Sequence, residues 1–340
     1  MRDGILLLNK PQGWTSSDCV AICRRALKCK GIKKVGHGGT LDPMATGLLP
    51  IFVGQATRIM EYLELDYKEY KCTCRLGTIT DTLDIWGEVI EERPWKETVS
   101  EKNVIDAFAE FTGHIEQIPP KYSAVRVDGK RLYEYAHKGL EIDFELKPRH
   151  VYIKSLDILD INMETGEITF TIVCSKGTYI RTICSDLGEK LGCGCIMTGL
   201  VRTATGNLSL NGELPVTDPI GIKGLLADSD SDDVASRLEK ILLAPDYPLV
   251  HFGRAVMSHE RMIYFSRGNS IRSRQIKWES EPEIDTEASE GIMPVNARGR
   301  KYSCIYRVYE EENNRFLGTG FYDKKEGLLK ADKVFVEREP

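Results

Sequence analysis

The chain has 340 residues, 41% hydrophobic and 29% charged, with a formal net charge of −5. These are the proportions of a globular protein of one or two domains, and no apolar run reaches the ~18 residues that a membrane-spanning helix needs. The charge is uneven: the first 60 residues carry nine Lys/Arg against three Asp/Glu, so the acidic total does not exclude an anionic partner.

In chain order, "MRDGILLLNKPQG" has an apolar run too short for a secretory signal, so a cytoplasmic protein is expected. The run reads as a strand stopped by Pro11 and Gly13. "TSSDCVAICRRALKC" follows, with Ser/Asp cap residues and with Cys19, Val20, Cys23 and Leu27 at helical spacing. Arg24, Arg25 and Lys28 fall on its outward face. Next comes "VGHGGTLDPMATGLLPIFVG" (35–54), in which Asp42 is the single acid. It matches neither GxGxxG spacing nor a glycine loop ending in Lys-Ser/Thr. Two readings of Asp42 stay open: a cap for a helix beginning at Met44, with Pro43 at its first position, or a functional carboxylate displayed by a tight turn.

"EYKCTCRLG" (69–77) alternates, with Tyr70, Cys72, Cys74 and Leu76 on one face. Tyr70 reads either as a core ring or as one facing a cleft. "NVIDAFAEFTG" (103–113) places Val104, Ile105, Phe108 and Phe111 on one helical stripe, with Gly113 as the stop. In "PPKYSAVRVDGKRLYEYAHKG" (119–139), Lys121, Arg126, Lys130, Arg131 and Lys138 interleave with Tyr122, Tyr133 and Tyr135. That mixture suits an RNA-contacting surface and equally an exposed hairpin and helix.

"EITFTIVCSKGTYIRTICSDLGEKLGCG" (167–194) reads as a strand, a break at Gly177 and a helix over 178–190. Ile180, Ile183, Cys184 and Leu187 form its apolar stripe. Tyr179 and Arg181 fall in its first turn, where Arg181 is either a surface residue or a group aimed into a cleft. A linker is expected within 211–250. "RMIYFSRGNSI" (261–271), "KYSCIYRVYE" (301–310) and "FLGTGFYDKKEGLLKADKVFV" (316–336) read as short strands of a small β module. The acidic runs "ADSDSDD" (227–233) and "WESEPEIDTEASE" (278–290) read as solvated loops, the second inserted in that module. Of the ten cysteines, Cys72, Cys74 and Cys174 read as small buried apolar residues. Cys193 and Cys195 are either a reduced pair or soft-metal ligands, and no metal site is expected.

"GHGGTLDPMATGLLPIFVGQATR" resembles the signature of the TruB-type pseudouridine synthases, the tRNA pseudouridine(55) synthases acting in the TΨC arm. "LLNKPQGWTSSD", "YKCTCRLGTITDTLDIWG", "IEQIPPKYSAVRVDGKRLYEYAHKG" and "CSKGTYIRTICSDLGEKLGCG" resemble further family segments, collinear over 4–205. One departure is Gly38, where many family members carry a threonine. The resemblance implies an α+β fold: a mixed, mainly antiparallel sheet with flanking helices, plus a small C-terminal β-rich module that resembles a PUA-like domain only faintly. A catalytic domain over 1–245 would carry a thumb-like insertion at about 119–147. A PUA-like domain over 246–340 would hold the acidic loop at about 278–291.

The same resemblance implies the roles. Asp42 would be the catalytic aspartate, Tyr70 would lie against the target uracil and move a proton, and Arg181 would pair with Asp42. His37 would hold the RNA loop open, Tyr179 would line the pocket, Asp84 would join its polar network and Leu200 would form apolar wall. Lys130 and Arg131 would grip the RNA. A carboxylate stays ionised in an apolar pocket only beside a cation, which is the physical use of Arg181. The isomerisation needs no redox step, so no cofactor is expected. The expected partner is the TΨC stem-loop of tRNA, with no membrane, no obligate protein partner and a monomeric chain. Two alternatives are a non-catalytic RNA-binding or RNA-folding protein on the same fold and a guide-RNA-dependent relative.

Overall fold

The computed structural model describes residues 3–123, 126–127, 130–131 and 147–336. Among these residues, ten strands form one sheet in the order β14-β1-β3-β12-β4-β11-β10-β7, with β2 added to β3 and β13 to β12. Its strands are β1 (Gly4–Lys10), β2 (Val35–His37), β3 (Thr46–Val53), β4 (Lys68–Leu76), β7 (Gly113–Gln117), β10 (Arg149–Asn162), β11 (Glu167–Cys174), β12 (Cys195–Thr205), β13 (Leu208–Ser209) and β14 (Val216–Thr217). Pairing is antiparallel except for β1 with β14 and β3 with β12. Two small hairpins stand apart: β5 (Thr78–Thr80) with β6 (Val89–Glu92), and β8 (Arg126–Val127) with β9 (Lys130–Arg131). The mixed, mainly antiparallel sheet is the one expected.

Helices α1 (Ser16–Leu27), α2 (Glu101–Ala109), α3 (Ile180–Lys190), α4 (Pro219–Asp228) and α5 (Ser231–Lys240) pack into one core with the sheet. In α1, Thr15 and Asp18 form a reciprocal capping box, and Cys19, Val20, Cys23 and Leu27 are buried as their spacing predicts. The apolar run of β1 is continuous because both its faces are covered. Leu6 and Leu8 join the helical core, while Ile5 and Leu7 join a second one with Leu48, Phe52, Tyr62, Leu249 and Phe252.

A second, six-stranded sheet has the order β16-β20-β19-β18-β15-β17. Its strands are β15 (Gly253–Met257), β16 (Ile271–Arg272), β17 (Lys277–Ser280), β18 (Ile305–Glu310), β19 (Phe316–Asp323) and β20 (Leu328–Val334), and the α-helix α6 (His259–Ser266) accompanies them. Polar contacts tie the 3-10 helical segment Gly54–Glu64, which follows β3, to the second sheet. The buried Tyr62 hydroxyl donates to Asp332 Oδ2 at 2.5 Å, and Arg58 Nη1 donates to the Val334 carbonyl at 2.8 Å. No helix among the described residues is long and apolar enough to cross a membrane.

Several sequence expectations are corrected here. Residues 261–271 are mostly helix, not strand: α6 buries Met262 and Phe265 one turn apart and leaves Tyr264 exposed. Within 211–250, where the linker is expected to lie, α4 and α5 put Ile222, Val234, Ala235 and Leu238 into the main core, which leaves the helix-free ends of that stretch for it. "ADSDSDD" runs into α5, with Asp232 and Asp233 in its first turn, where the helix dipole favours acids. Ile105 is 48% exposed on α2, and Ala107 takes the buried position. Outside these corrections, all ten cysteines are free, in keeping with the reduced reading of Cys193 and Cys195.

Candidate active site

Three elements hold the loop that carries Asp42. From the end of β1, the buried Lys10 ammonium donates to the carbonyls of Trp14 at 2.7 Å, Pro11 at 3.0 Å and Pro43 at 3.4 Å. Burial lowers the Lys10 pKa, and the nearby Cys19 and Asp42 work against that shift. At the start of α1, the Ser16 hydroxyl donates to the Leu41 carbonyl at 3.1 Å and accepts the Leu41 N–H at 2.9 Å. From β12, the buried Arg202 donates through Nε to the Leu48 carbonyl at 2.8 Å and through Nη2 to the Gly39 carbonyl at 3.1 Å. Gly39 has φ +124°, where a side chain would be strained.

Asp42 opens a turn. The Ala45 N–H donates to the Asp42 carbonyl at 3.1 Å, and Pro43 takes the second position, which its fixed φ suits. No helix begins at Met44; the chain passes straight into β3, so the cap reading of Asp42 fails.

Arg181 is the second residue of α3 and lies buried behind that turn. Its Nη2 sits 2.9 Å from Asp42 Oδ2 and also donates to the Tyr122 carbonyl at 2.9 Å. Its Nη1 donates to the Thr82 carbonyl at 2.9 Å and lies 3.8 Å from Asp84 Oδ2. Asp84 is fixed in turn by the Thr82 hydroxyl at 2.8 Å and the Trp86 N–H at 3.0 Å. The Arg181 side chain is 6% exposed and that of Asp42 is 39% exposed. The carboxylate therefore faces open space while its cation stays sealed behind it.

That space is a cavity of about 320 Å³ whose lining includes Asp42, Tyr70, Tyr179, Arg181 and Leu200. Tyr70 comes from β4, opposite Arg202 in the register of β12. Burial pushes the Tyr70 phenol up, and the Arg202 guanidinium beside it pulls the other way. Tyr179 precedes α3; its N–H donates to Gln117 Oε1 at 3.0 Å, and its carbonyl accepts from Gln117 Nε2 at 3.3 Å. Leu200 forms apolar wall. Asp84 stands behind Arg181 rather than on the lining. His37, half-buried on β2 opposite Ile51, is not a lining residue either. Lys130 and Arg131 form β9, but their side chains lie outside the described residues, as do Tyr133, Tyr135 and Lys138.

Sequence reasoning missed Arg202, Gln117, Lys68 and the buried state of Lys10. Lys68 lines the cavity, and burial lowers its pKa to about 8 against the pull of Asp66. One signal was available for Arg202. It follows Leu200 by two residues on a strand and so shares its inward face.

The TruB family pseudouridylate synthase N-terminal domain matches residues 24–180, and the tRNA pseudouridylate synthase B C-terminal domain matches 181–249. The tRNA pseudouridine synthases B of Escherichia coli strain K12 and Shigella flexneri serotype 5b are each 36% identical over 337 residues, spanning 98% of this chain and 96% of theirs. Two solved structures share the fold. One is an H/ACA RNP bound to a substrate RNA containing 2′-deoxyuridine, with TM-score 0.67, 20% identity and coverage of 99% of this chain and 86% of that one. The other is a Cbf5-Nop10-Gar1 complex, with TM-score 0.68, 22% identity and coverage of 98% and 85%. With family models meeting end to end across the site and relatives matching nearly the whole length, the chain belongs to the TruB family of pseudouridylate synthases.

Proposed function

We propose that the chain isomerises uridine 55 to pseudouridine in the TΨC arm of tRNA. The observation that carries this reading is the half-exposed Asp42 carboxylate held 2.9 Å from a sealed guanidinium at a cavity wall. Pseudouridine formation breaks C1′–N1, joins C1′ to C5, releases the C5 proton and leaves a proton on N1. Asp42 either adds covalently to the nucleoside or assists deprotonation of the sugar, and both routes need a bare carboxylate. Extruding the base costs a few kcal/mol, and stacking on Tyr70 returns about 1–3 kcal/mol. The Tyr70 hydroxyl serves the proton transfer, Tyr179 and Leu200 enclose the ring, Asp84 steadies Arg181, and His37 holds the RNA loop open.

Phosphate contacts from Lys130 and Arg131 supply the remaining grip. In this reading residues 1–245 are the catalytic domain, with a thumb over about 119–147. Residues 246–340 are a PUA-like domain, with its acidic loop at about 278–291. The enzyme works as a cytoplasmic monomer, without a cofactor or an obligate protein partner. Support for the tRNA substrate comes from the names of the relatives and from the family of the chain.

The test is to incubate unmodified tRNA with the wild type and with Asp42→Asn and to map pseudouridine. The variant is expected to bind tRNA as tightly as the wild type and to form no product above background. Product at near wild-type rate would overturn the assignment. Turnover on a bare TΨC stem-loop separates a stand-alone enzyme from a guide-RNA-dependent one.

A further inference from the structure

Residues 279–290 carry six carboxylates and no base, and they are fastened to the protein rather than free in solvent. After β17 the chain alternates: Glu281, Glu283, Asp285 and Glu287 are exposed, while Pro282, Ile284 and Thr286 turn inward. Ile284 packs against the core shared by the two sheets. In near-extended backbone this spacing sets successive carboxylates roughly 6.5 Å apart along one side. Near β17 the strap is held by its own module, with Glu279 on Arg254 at 2.6 Å and on Lys277 at 3.1 Å, and with the Tyr306 hydroxyl donating to Glu281 at 2.5 Å.

The strap then crosses to the first sheet. Lys154 Nζ lies 3.0 Å from Asp285 Oδ2 and 3.7 Å from Glu287 Oε2. The Tyr152 hydroxyl donates to Glu287 at 3.3 Å, and His114 Nδ1 is 3.9 Å from Glu290. These partners sit on β7 and β10, the two strands that lead into and out of the basic, tyrosine-rich insertion. Lys176 links the places, because it lines both the Asp42 cavity and a neighbouring cavity walled by Asp285, Ala288 and Ser289.

We infer that this acidic strap is a selectivity element that occupies Lys154 and His114 with carboxylates and so denies RNA phosphates the base of the insertion. The inference rests on the reading of the substrate as RNA. Binding of unrelated RNA comes almost wholly from phosphate contacts, whereas cognate RNA also has an extruded base and a shaped loop to hold. Occupying phosphate positions therefore weakens unrelated RNA more than the cognate stem-loop.

The test compares the full chain with the triple variant Asp285→Asn, Glu287→Gln, Glu290→Gln, which keeps Ile284 and the path of the strap. Gel-shift titrations use a TΨC stem-loop and an unrelated hairpin of equal length over a range of salt. The triple variant is expected to bind the unrelated hairpin on the order of tenfold tighter at low salt, with a salt slope steeper by about one to two phosphates. The cognate stem-loop should gain less, and kcat at saturating stem-loop should be unchanged. Lys154→Met should have no effect on RNA binding in the wild type and should cancel most of the gain in the triple variant, the remainder belonging to His114. Unchanged affinity for the unrelated hairpin, equal tightening of both RNAs, or weaker binding from Lys154→Met alone would each overturn the inference. These titrations need no turnover, so a chain that makes no pseudouridine would refute the proposed activity without touching this comparison.

Discussion

Arg202 ties two groups of the site to one side chain. Its guanidinium holds the Gly39 carbonyl, and with it the Asp42 loop, while sitting beside the Tyr70 phenol. A lysine keeps the charge but cannot span Leu48 and Gly39 at once. Arg202→Lys is therefore expected to leave a buried carbonyl unpaired, to lower stability by about 1–3 kcal/mol in urea melts, and to lower kcat more than it changes KM. Arg181→Lys should act more purely on the chemistry. One ammonium cannot serve Asp42, Thr82 and Tyr122 together, so kcat should fall on the order of a hundredfold while tRNA affinity stays within about twofold. The pairing of Arg181 with Asp42 was legible through the family resemblance, since its place at a helix start after a glycine break left both a surface and a cleft reading open. Arg202 was not, because an arginine in a strand usually faces water, and only its phase with Leu200 betrays the burial.

Among the elements, β1, β4, β11 and α1 were legible because periodicity and end signals agree in each. The eight-residue α6 was not, since its Ile-Tyr-Phe composition favours strand while Met262 and Phe265 are spaced for a helix. The Asp42 turn hid for a related reason, because proline fits both the first turn of a helix and the second position of a β-turn. Its supporting strand explains the departure at Gly38. A Cβ there would lie 2.8 Å from Phe52 Cε2 and 3.0 Å from Leu63 Cδ2. Gly38→Thr is thus expected to destabilise the chain by about 1–3 kcal/mol, and Phe52→Leu in the same chain to recover part of that loss; thermal melts of the single and double variants check it. The partners that complete the site, Gln117 on β7 and Ser16 on α1, come from distant stretches that no local pattern connects.

On the scale of the molecule, Asp66 and His251 face each other across the junction of the two sheets, 4.0 Å apart. Burial raises the Asp66 pKa from 3.8 to about 6 and, with Arg307, lowers that of His251 from 6.5 to about 4. Between about pH 4 and 6 the folded state holds the extra proton at Asp66, so that group makes stability fall as pH rises. At His251 the unfolded state holds the extra proton over nearly the same window, so stability rises with pH. The two slopes oppose each other. Asp66→Asn is expected to expose the rising slope, up to about 1.4 kcal/mol per pH unit relative to the wild type, and His251→Gln the falling one, in urea unfolding from pH 4.5 to 6.5.

The alternating leucines of β1 have a practical corollary for anyone cutting the gene. Because Ile5 and Leu7 share a buried core with Leu249 and Phe252, a fragment stopped at residue 245 would be left with an oily flank. Such a fragment should precipitate or recruit detergent. The intact chain should melt in a single step, its two sheets living and dying together.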